Sequence, residues 1–302
     1  MSEPHAPSHA APAVRVPHRR ALVWAIVALL IADLVTGAVA GRRAPASAER
    51  DRLAEGATRV AEHEGRPRVV VVGAVGTDAF IDAGVLGTAL GPDSLIEEFQ
   101  LNSGNGALWE AAYRHLYQEG GVTPDAVVVA FQSEQLEDRS DLDWATVGRL
   151  YTDWGSLGDR WSEAPDLASK IDVVASRASA LVGHRSWIRG IWSDRVPDYA
   201  SVPRREPRDD PDAVTFTSLG DFVVGLTAEG VAVTVVAIPR VSPYVVPDEL
   251  LDAVETAGGA FLDLRQVLPP REEDATGALR AGELEKLSLT VAAAIDGSLR
   301  PG

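Results

Sequence analysis

The sequence predicts an α/β protein, in which a three-layer α/β/α sandwich with a five-stranded parallel sheet is preceded by one transmembrane helix. Apolar β-branched runs such as 68–76 and 125–132 are typical of strands buried on both faces of a sheet. These runs alternate with segments of helical periodicity, which indicates a parallel sheet with helices on both sides. Residues 21–40 are apolar over the length that a helix needs to cross a bilayer.

The N-terminal region predicts a single-pass membrane protein. We expect a disordered cytoplasmic tail at 1–20, a signal-anchor helix at 21–41 that Asp33 interrupts, and a linker at 42–66. The arginines before the apolar run favour a cytoplasmic N-terminus, which puts the rest of the chain outside the cytoplasm. Two alternatives stay open: a secreted protein cleaved near Ala40, where "AVA" fits a cleavage site, and a cytoplasmic protein with a buried helix.

The folded domain is expected at 67–299, with strands and helices in alternation. The predicted strands are 68–76, 96–102, 125–132, 230–240 and 260–265. The predicted helices lie at 83–90, 107–118, around 222–226, at 247–257 and at 281–297. A helical insert at about 143–213, helical to residue 192 and then loop-like, is too long for one crossover and is expected to form a lid or cap.

Composition excludes several classes of function. The chain has 302 residues, 46% of them hydrophobic, with a net charge of −16 and no cysteine. A nucleic-acid partner is not expected, because such proteins normally carry a basic face. The negative charge also argues against adhesion to anionic lipid, and the lack of cysteine rules out disulfides and thiolate chemistry. We predict neither a metal site nor a cofactor.

The candidate site lies where the strands end, because ligands bind outside the carboxyl ends of parallel strands. The first such segment, "GAVGTD" at 73–78, holds glycines but no serine. The second is the turn at 102–106, "NSGNG", and the third is 131–135. The last two are 239–244 and 265–277.

The order of these segments resembles the SGNH (GDSL-like) hydrolase superfamily, particularly membrane-anchored members related to polysaccharide O-acetyltransferases. The resemblance covers roughly 66–298 and rests on "VVVVGAVGTDAFIDAGVLGTALG", "FQLNSGNG", "TPDAVVVAFQSEQL", "GVAVTVVAIPR" and the C-terminal stretch from "FLDLRQVLPP" onwards. It implies a flavodoxin-like strand order and a serine–histidine–aspartate site for acyl transfer.

Two of the three catalytic parts that the resemblance implies are missing. Val75 stands at the place of the serine, Asp274 matches the aspartate, and Gly277 stands at the place of the histidine. The loss of the histidine does not depend on alignment, because the last histidine of the chain is His184. No catalytic residue is therefore predicted firmly.

A cleft and three weaker catalytic candidates remain. The resemblance implies an oxyanion and binding cleft formed by Gly73, Gly76, Asn102, Gly104, Asn105, Gly106, Gln132 and Ser133. Ser103 or Thr77 would be a displaced nucleophile and His184 its base, although a turn serine, a helix-capping threonine and a structural histidine are the simpler interpretations.

Three hypotheses for function follow. The first is a degenerate enzyme that binds or scaffolds a cell-envelope glycan or a protein partner in glycan or acyl metabolism. The second is an active O-acyl esterase or polysaccharide O-acetyltransferase with a rearranged site. The third is a structural membrane protein, since a fold does not dictate a function.

Overall fold

A five-stranded, all-parallel sheet forms the centre of the protein and confirms the predicted α/β class. The computed structural model describes residues 19–102, 106–136, 142–195, 217–239, 244–267, 279 and 281–299. The strands are β1 (Arg68–Ala74), β2 (Leu95–Leu101), β3 (Ala126–Phe131), β4 (Ala232–Ala237) and β5 (Ala260–Asp263). Their order across the sheet is β2-β1-β3-β4-β5.

Strands β1, β3, β4 and β5 are each shorter than the sequence predicts, and local turns bound β4 and β5. Gly230 has a φ of 80°, so the chain turns there and β4 begins only at Ala232. β5 stops at Asp263, whose carboxylate accepts a hydrogen bond from the Arg265 backbone N–H and starts a 3₁₀ turn, Leu264–Gln266.

Alternate residues of each strand enter two hydrophobic cores, one on each face of the sheet. Along β1, Val70 and Val72 belong to the larger core, whereas Val69 and Val71 belong to the smaller one. This explains why the strand is an uninterrupted valine run instead of an alternating pattern. β3 is buried at every position.

Six helices of the described residues contribute to the larger core. They are α2 (Pro45–Glu62), α4 (Gly106–Tyr113), α5 (Ser133–Leu136), α6 (Trp144–Leu150), α11 (Thr217–Ala228) and α12 (Asp248–Thr256). A π-helical turn, Arg114–Gln118, extends α4. Aromatic rings fill the space beneath these helices, with Tyr113 and Tyr117 stacked at 4.7 Å between ring centroids.

Much of the predicted linker is helix α2, which packs on the sheet. Leu53, Ala57 and Val60 recur at helical spacing and are buried in the larger core. Arg59 Nη2 lies 2.7 Å from the Glu97 carboxylate on β2.

Helices α3 (Ala83–Leu90) and α13 (Ala281–Leu299) lie on the opposite face. Leu86 of α3 and Leu287 and Val291 of α13 are buried together in the smaller core. The Ser288 hydroxyl accepts a hydrogen bond of 2.9 Å from the Asp82 backbone N–H, just before α3. This bond joins the first crossover to the last helix of the chain.

The insert is a set of short helices. After α5 (Ser133–Leu136) come α6 (Trp144–Leu150), α7 (Leu157–Glu163), α8 (Leu167–Ala178), α9 (Ala180–Gly183) and α10 (Arg185–Arg195). Side-chain oxygens of Asp143, Asp166 and Ser179 accept backbone N–H bonds at the starts of α6, α8 and α9. The predicted loop from residue 196 onwards lies outside the described residues, up to residue 216.

Helix α1 (Arg19–Arg43) precedes this domain. Within the described residues, Ala21–Arg43 is the one helix long and apolar enough to cross a membrane, and a signal sequence meets the same criterion. The predicted cytoplasmic tail at 1–20 falls almost entirely outside the described residues, which begin at Arg19.

Candidate functional site

The candidate site lies between β1 and β3, at the carboxyl ends of the strands. The chain continues from β1 outward to β2 on one side and to β3 and the remaining strands on the other, so the strand order reverses at this point. In open parallel sheets such a reversal leaves a crevice in which ligands bind. Val75 and Thr77 follow β1 here, and Gln132 and Ser133 follow β3.

The turn after β1 depends on its glycines. A Cβ on Gly73 would lie 2.3 Å from Thr77 Oγ1, so only glycine leaves room for this side chain. Gly76 has a φ of 98° and precedes the 3₁₀ turn Thr77–Ala79. The Thr77 hydroxyl donates a 2.7 Å hydrogen bond to the Ala74 carbonyl oxygen and is buried. Thr77 thus closes the turn; it does not cap α3, whose N-cap is Asp82.

Val75 presents an apolar side chain at the switch point. Its backbone N–H donates a 3.0 Å hydrogen bond to the Leu101 carbonyl oxygen, which continues the ladder between β1 and β2. The side chain remains 57% exposed. The position that the resemblance assigns to the nucleophile is therefore accessible, held by backbone bonds and without a reactive atom.

The turn after β2 is bound by a carboxylate from α2. The Asn102 backbone N–H donates a 2.8 Å hydrogen bond to Glu49 Oε2. Beside it, Arg52 Nη2 donates a 2.6 Å bond to the Gln100 carbonyl oxygen. Burial raises the pKa of Glu49, and the bond from Asn102 partly opposes this rise. One backbone N–H that an oxyanion site at this edge would use thus already holds an anionic group.

Gly106, at the end of this turn, has a packing role. A Cβ on Gly106 would lie 2.5 Å from the backbone nitrogen of Leu219 and 2.6 Å from its Cα. Gly106 therefore permits the close approach of α4 to α11. Ser103, Gly104 and Asn105 lie outside the described residues, as do Asp274 and Gly277.

The backbone directly after β3 is bound by a side chain of the same segment. The Gln132 backbone N–H donates a 2.8 Å hydrogen bond to Gln135 Oε1, and Ser133 begins α5. Gln132 and Ser133 are both half-buried. Both follow β3 directly, so the predicted cleft includes polar side chains at the carboxyl end of this strand.

The sequence places segments 239–244 and 265–277 at this edge, but it does not identify the cluster that lies at the ends of β4 and β5. The Tyr244 hydroxyl donates to the carbonyl oxygen of Ile238 at 2.8 Å, and the Arg265 guanidinium stands 4.8 Å from the centroid of the Tyr244 ring. Arg265 also pairs with Asp263, at 2.8 Å from both Nε and Nη2. This pair lowers the pKa of the Asp263 carboxyl and raises that of Arg265. The spacing Asp-x-Arg at the end of a strand was the available signal.

His184 belongs to the insert. It lies between α9 and α10, is buried, and donates its backbone N–H to the Ala180 carbonyl oxygen. Burial lowers its pKa, and the neighbouring positive charge of Arg149 lowers it further. No hydrogen bond in the described part of the chain joins His184 to Thr77.

The described residues contain no group of three or more histidine, aspartate and glutamate side chains that could hold a metal ion. Two shallow surface depressions, of 530 and 410 Å³, lie on α13 and beside α3 and include none of the predicted cleft residues.

Comparison with known proteins identifies no relative. No family model matches the sequence, and searches of curated proteins and of solved structures found no match either. The interpretation of the site therefore depends on its own chemistry. It offers an exposed valine, half-buried polar groups after β3 and a backbone N–H already paired with Glu49.

Proposed function

We propose that this chain is a membrane-anchored, extracytoplasmic protein with an SGNH-hydrolase-like fold that has lost its catalytic residues. It binds a cell-envelope glycan or a partner protein in glycan or acyl metabolism, and its binding site is the crevice between β1 and β3. The observation that carries this proposal is Val75, an exposed apolar side chain at the switch point where an acyl-transfer enzyme of this type needs its nucleophile.

The chemistry of acyl transfer supports this proposal. A serine route requires a hydroxyl, a base that takes its proton and donors for the oxyanion. Val75 cannot attack, and no histidine follows His184. Enzymes stripped of such a triad retain only about 10³–10⁴-fold acceleration over water, from binding and oxyanion contacts. A crevice with these residues can hold a ligand but lacks the nucleophile and the base that acyl transfer requires.

The rearranged enzyme is the weaker alternative for two physical reasons. The Thr77 hydroxyl already donates a hydrogen bond to the Ala74 carbonyl oxygen, and Thr77 is buried. A histidine that acts as a general base becomes positively charged, which both burial and Arg149 oppose at His184. This alternative therefore depends on Ser103.

A fluorophosphonate probe tests the loss of catalysis. The purified full-length chain in detergent would be labelled beside an active serine hydrolase, and adducts located by mass spectrometry. We expect no adduct on this chain and a labelled serine on the control enzyme. A stoichiometric adduct on Ser103, Thr77 or any other single hydroxyl would overturn the proposal.

A matched pair of variants tests the crevice as the binding site. Val75→Arg places a long charged side chain at the switch point, whereas Val224→Arg makes the same change on α11, where Val224 is 45% exposed. Binding of N-acetylglucosamine oligosaccharides, with and without O-acetyl groups, would be measured by calorimetry, and partners by cross-linking in membranes. We expect Val75→Arg alone to abolish binding or cross-linking. Equal behaviour of both variants would refute the crevice as the site.

A further inference from the structure

Helix α1 is joined to the insert through its only charged residue between Ala21 and Gly41. Asp33 Oδ1 accepts hydrogen bonds from the Ser179 hydroxyl at 2.6 Å and from the Leu181 backbone N–H at 2.9 Å. A Cβ on Gly37, one turn further along, would lie 3.3 Å from Ala180 Cβ. Both contacts are made with the start of helix α9, so α9 lies directly against α1.

This contact sets the depth of α9 in a membrane. Seven apolar or small residues, 34–40, separate Asp33 from the C-terminal end of the apolar run. At 1.5 Å per residue, Asp33 lies about 10 Å inside that end. Helices that lie along a membrane surface sink about 5–10 Å into the boundary between headgroups and acyl chains. The start of α9 therefore lies at the depth of an interfacial helix whenever α1 spans the bilayer.

Helix α10 follows α9 directly and has the composition that such a depth requires. Trp187, Ile188, Ile191 and Trp192 fall within an arc of about 140°, because successive residues of a helix are about 100° apart. Trp192 is 54% exposed and the other three are half-buried. Ser186 and Ser193 fall on the opposite side of the helix.

Charge on α10 also fits a lipid surface, although the whole chain is acidic. Arg185 is neutralised by Asp172, with both nitrogen–oxygen distances at 2.6 Å. Arg189 is exposed, and in the described part of the chain no ion pair engages it. Aromatic rings beside an arginine are typical of helices at the level of the headgroups.

We propose that the Trp187–Trp192 face of α10 lies in the outer headgroup region of the membrane that α1 spans. The domain is thereby held close to the lipid surface by two elements, the spanning helix and an interfacial helix joined to it through Asp33. This inference rests on the anchor role of α1 in the proposed function.

Single-cysteine labelling provides the test, because the native chain has no cysteine to remove. The full-length protein would carry Trp192→Cys or Ser186→Cys, each with a nitroxide label, in bilayer nanodiscs. Leu34→Cys reports on the span itself, and Leu289→Cys reports on α13 at the other face of the sheet. Accessibility to oxygen, which partitions into lipid, would be compared with accessibility to a water-soluble nickel chelate.

We expect the label at 192 to lose access to the nickel chelate, while the labels at 186 and 289 keep it. Asp33→Leu should restore access at 192 in part, because it removes the acceptor of both hydrogen bonds that hold α9. Equal nickel access at 192, 186 and 289, with lipid exposure at 34, would overturn the inference and leave the anchor intact. Nickel access at 34 would instead overturn the anchor and the inference with it. A label at 192 that nickel reaches in nanodiscs but not when an oligosaccharide is added would indicate glycan binding by these tryptophans and also overturn the inference.

Discussion

Gly106 distinguishes a packing glycine from a catalytic one. The resemblance assigns it to the oxyanion cleft, whereas a Cβ there would meet the backbone of α11 at 2.5 and 2.6 Å from Leu219 and 2.8 Å from Ser218. Backbone atoms cannot swing aside as a side chain can, so Gly106→Ala must push the two helices apart. Overpacking of this kind costs about 1–3 kcal/mol, and each kcal/mol lowers Tm by about 2–4 °C in a domain of this size.

The matched control is Gly225→Ala on α11 itself. A Cβ at Gly225 meets nothing within 4 Å, so the change should only raise helix propensity and stabilise the fold by about 0.5–1 kcal/mol. Thermal unfolding of both full-length variants in detergent, followed by circular dichroism, would give opposite shifts in Tm. A neutral or stabilising Gly106→Ala would refute the packing role and return Gly106 to the cleft.

Three further predictions concern Glu49, Arg160 and Val75. Because burial raises the pKa of Glu49, its charged form lowers stability. Glu49→Gln keeps an acceptor for Asn102 and should raise the urea midpoint at pH 7, with a difference that shrinks as the pH falls through the raised pKa of Glu49 towards 4.5 and is lost below 4.5. Equal gains at pH 7 and pH 4 would contradict this assignment. Arg160→Ala should cost about 3 kcal/mol in urea unfolding, since Arg160 is 1% exposed and binds Glu163 and the Ala111 carbonyl oxygen; a loss below about 1 kcal/mol would show that the site rehydrates. Val75→Ser should not hydrolyse 4-nitrophenyl acetate faster than the unchanged chain, because a hydroxyl without a base is a weak nucleophile; a rate that rises with this single change would reveal a base at the site.

The fold is predictable where local pattern and burial agree. The valines of β1 face both cores, so a strand buried on both faces leaves an unmistakable apolar run. Helix α2 is harder to place, because Leu53, Ala57 and Val60 form a narrow apolar stripe in a charged segment that is equally typical of a linker. The pattern of the insert predicts one helical region, whereas the structure divides it into several short helices. The caps at Asp166 and Ser179 that separate them form only where the folded chain turns, so the sequence does not show these breaks.

The candidate site is predictable in position but not in its contacts. Strand ends are visible in sequence, and Val75 follows the first strand directly, which predicts its place at the carboxyl edge of the sheet. The bond between Glu49 and the Asn102 N–H joins residues 53 positions apart and leaves no local signal. Asp263 and Arg265 are near neighbours, but only the fold brings Tyr244 against them.

Two of the three expectations for the N-terminus, a retained anchor and a cleaved signal, predict different contacts between α1 and the domain. Asp33 costs about 2.5–3.5 kcal/mol at the centre of a spanning helix, and each hydrogen bond to a charged group returns about 1.5–3 kcal/mol. In a chain that keeps α1, the bonds from Ser179 and Leu181 therefore offset the free-energy cost of burying this carboxylate. Cleavage near Ala40 would remove Asp33 and Gly37 from α9 but would leave α2, and Glu49 with it, on the sheet. The intact mass of the protein isolated from membranes therefore shows whether α1 is retained or cleaved. It also bears on α10, because a chain that keeps α1 keeps the contact that places α10 against lipid.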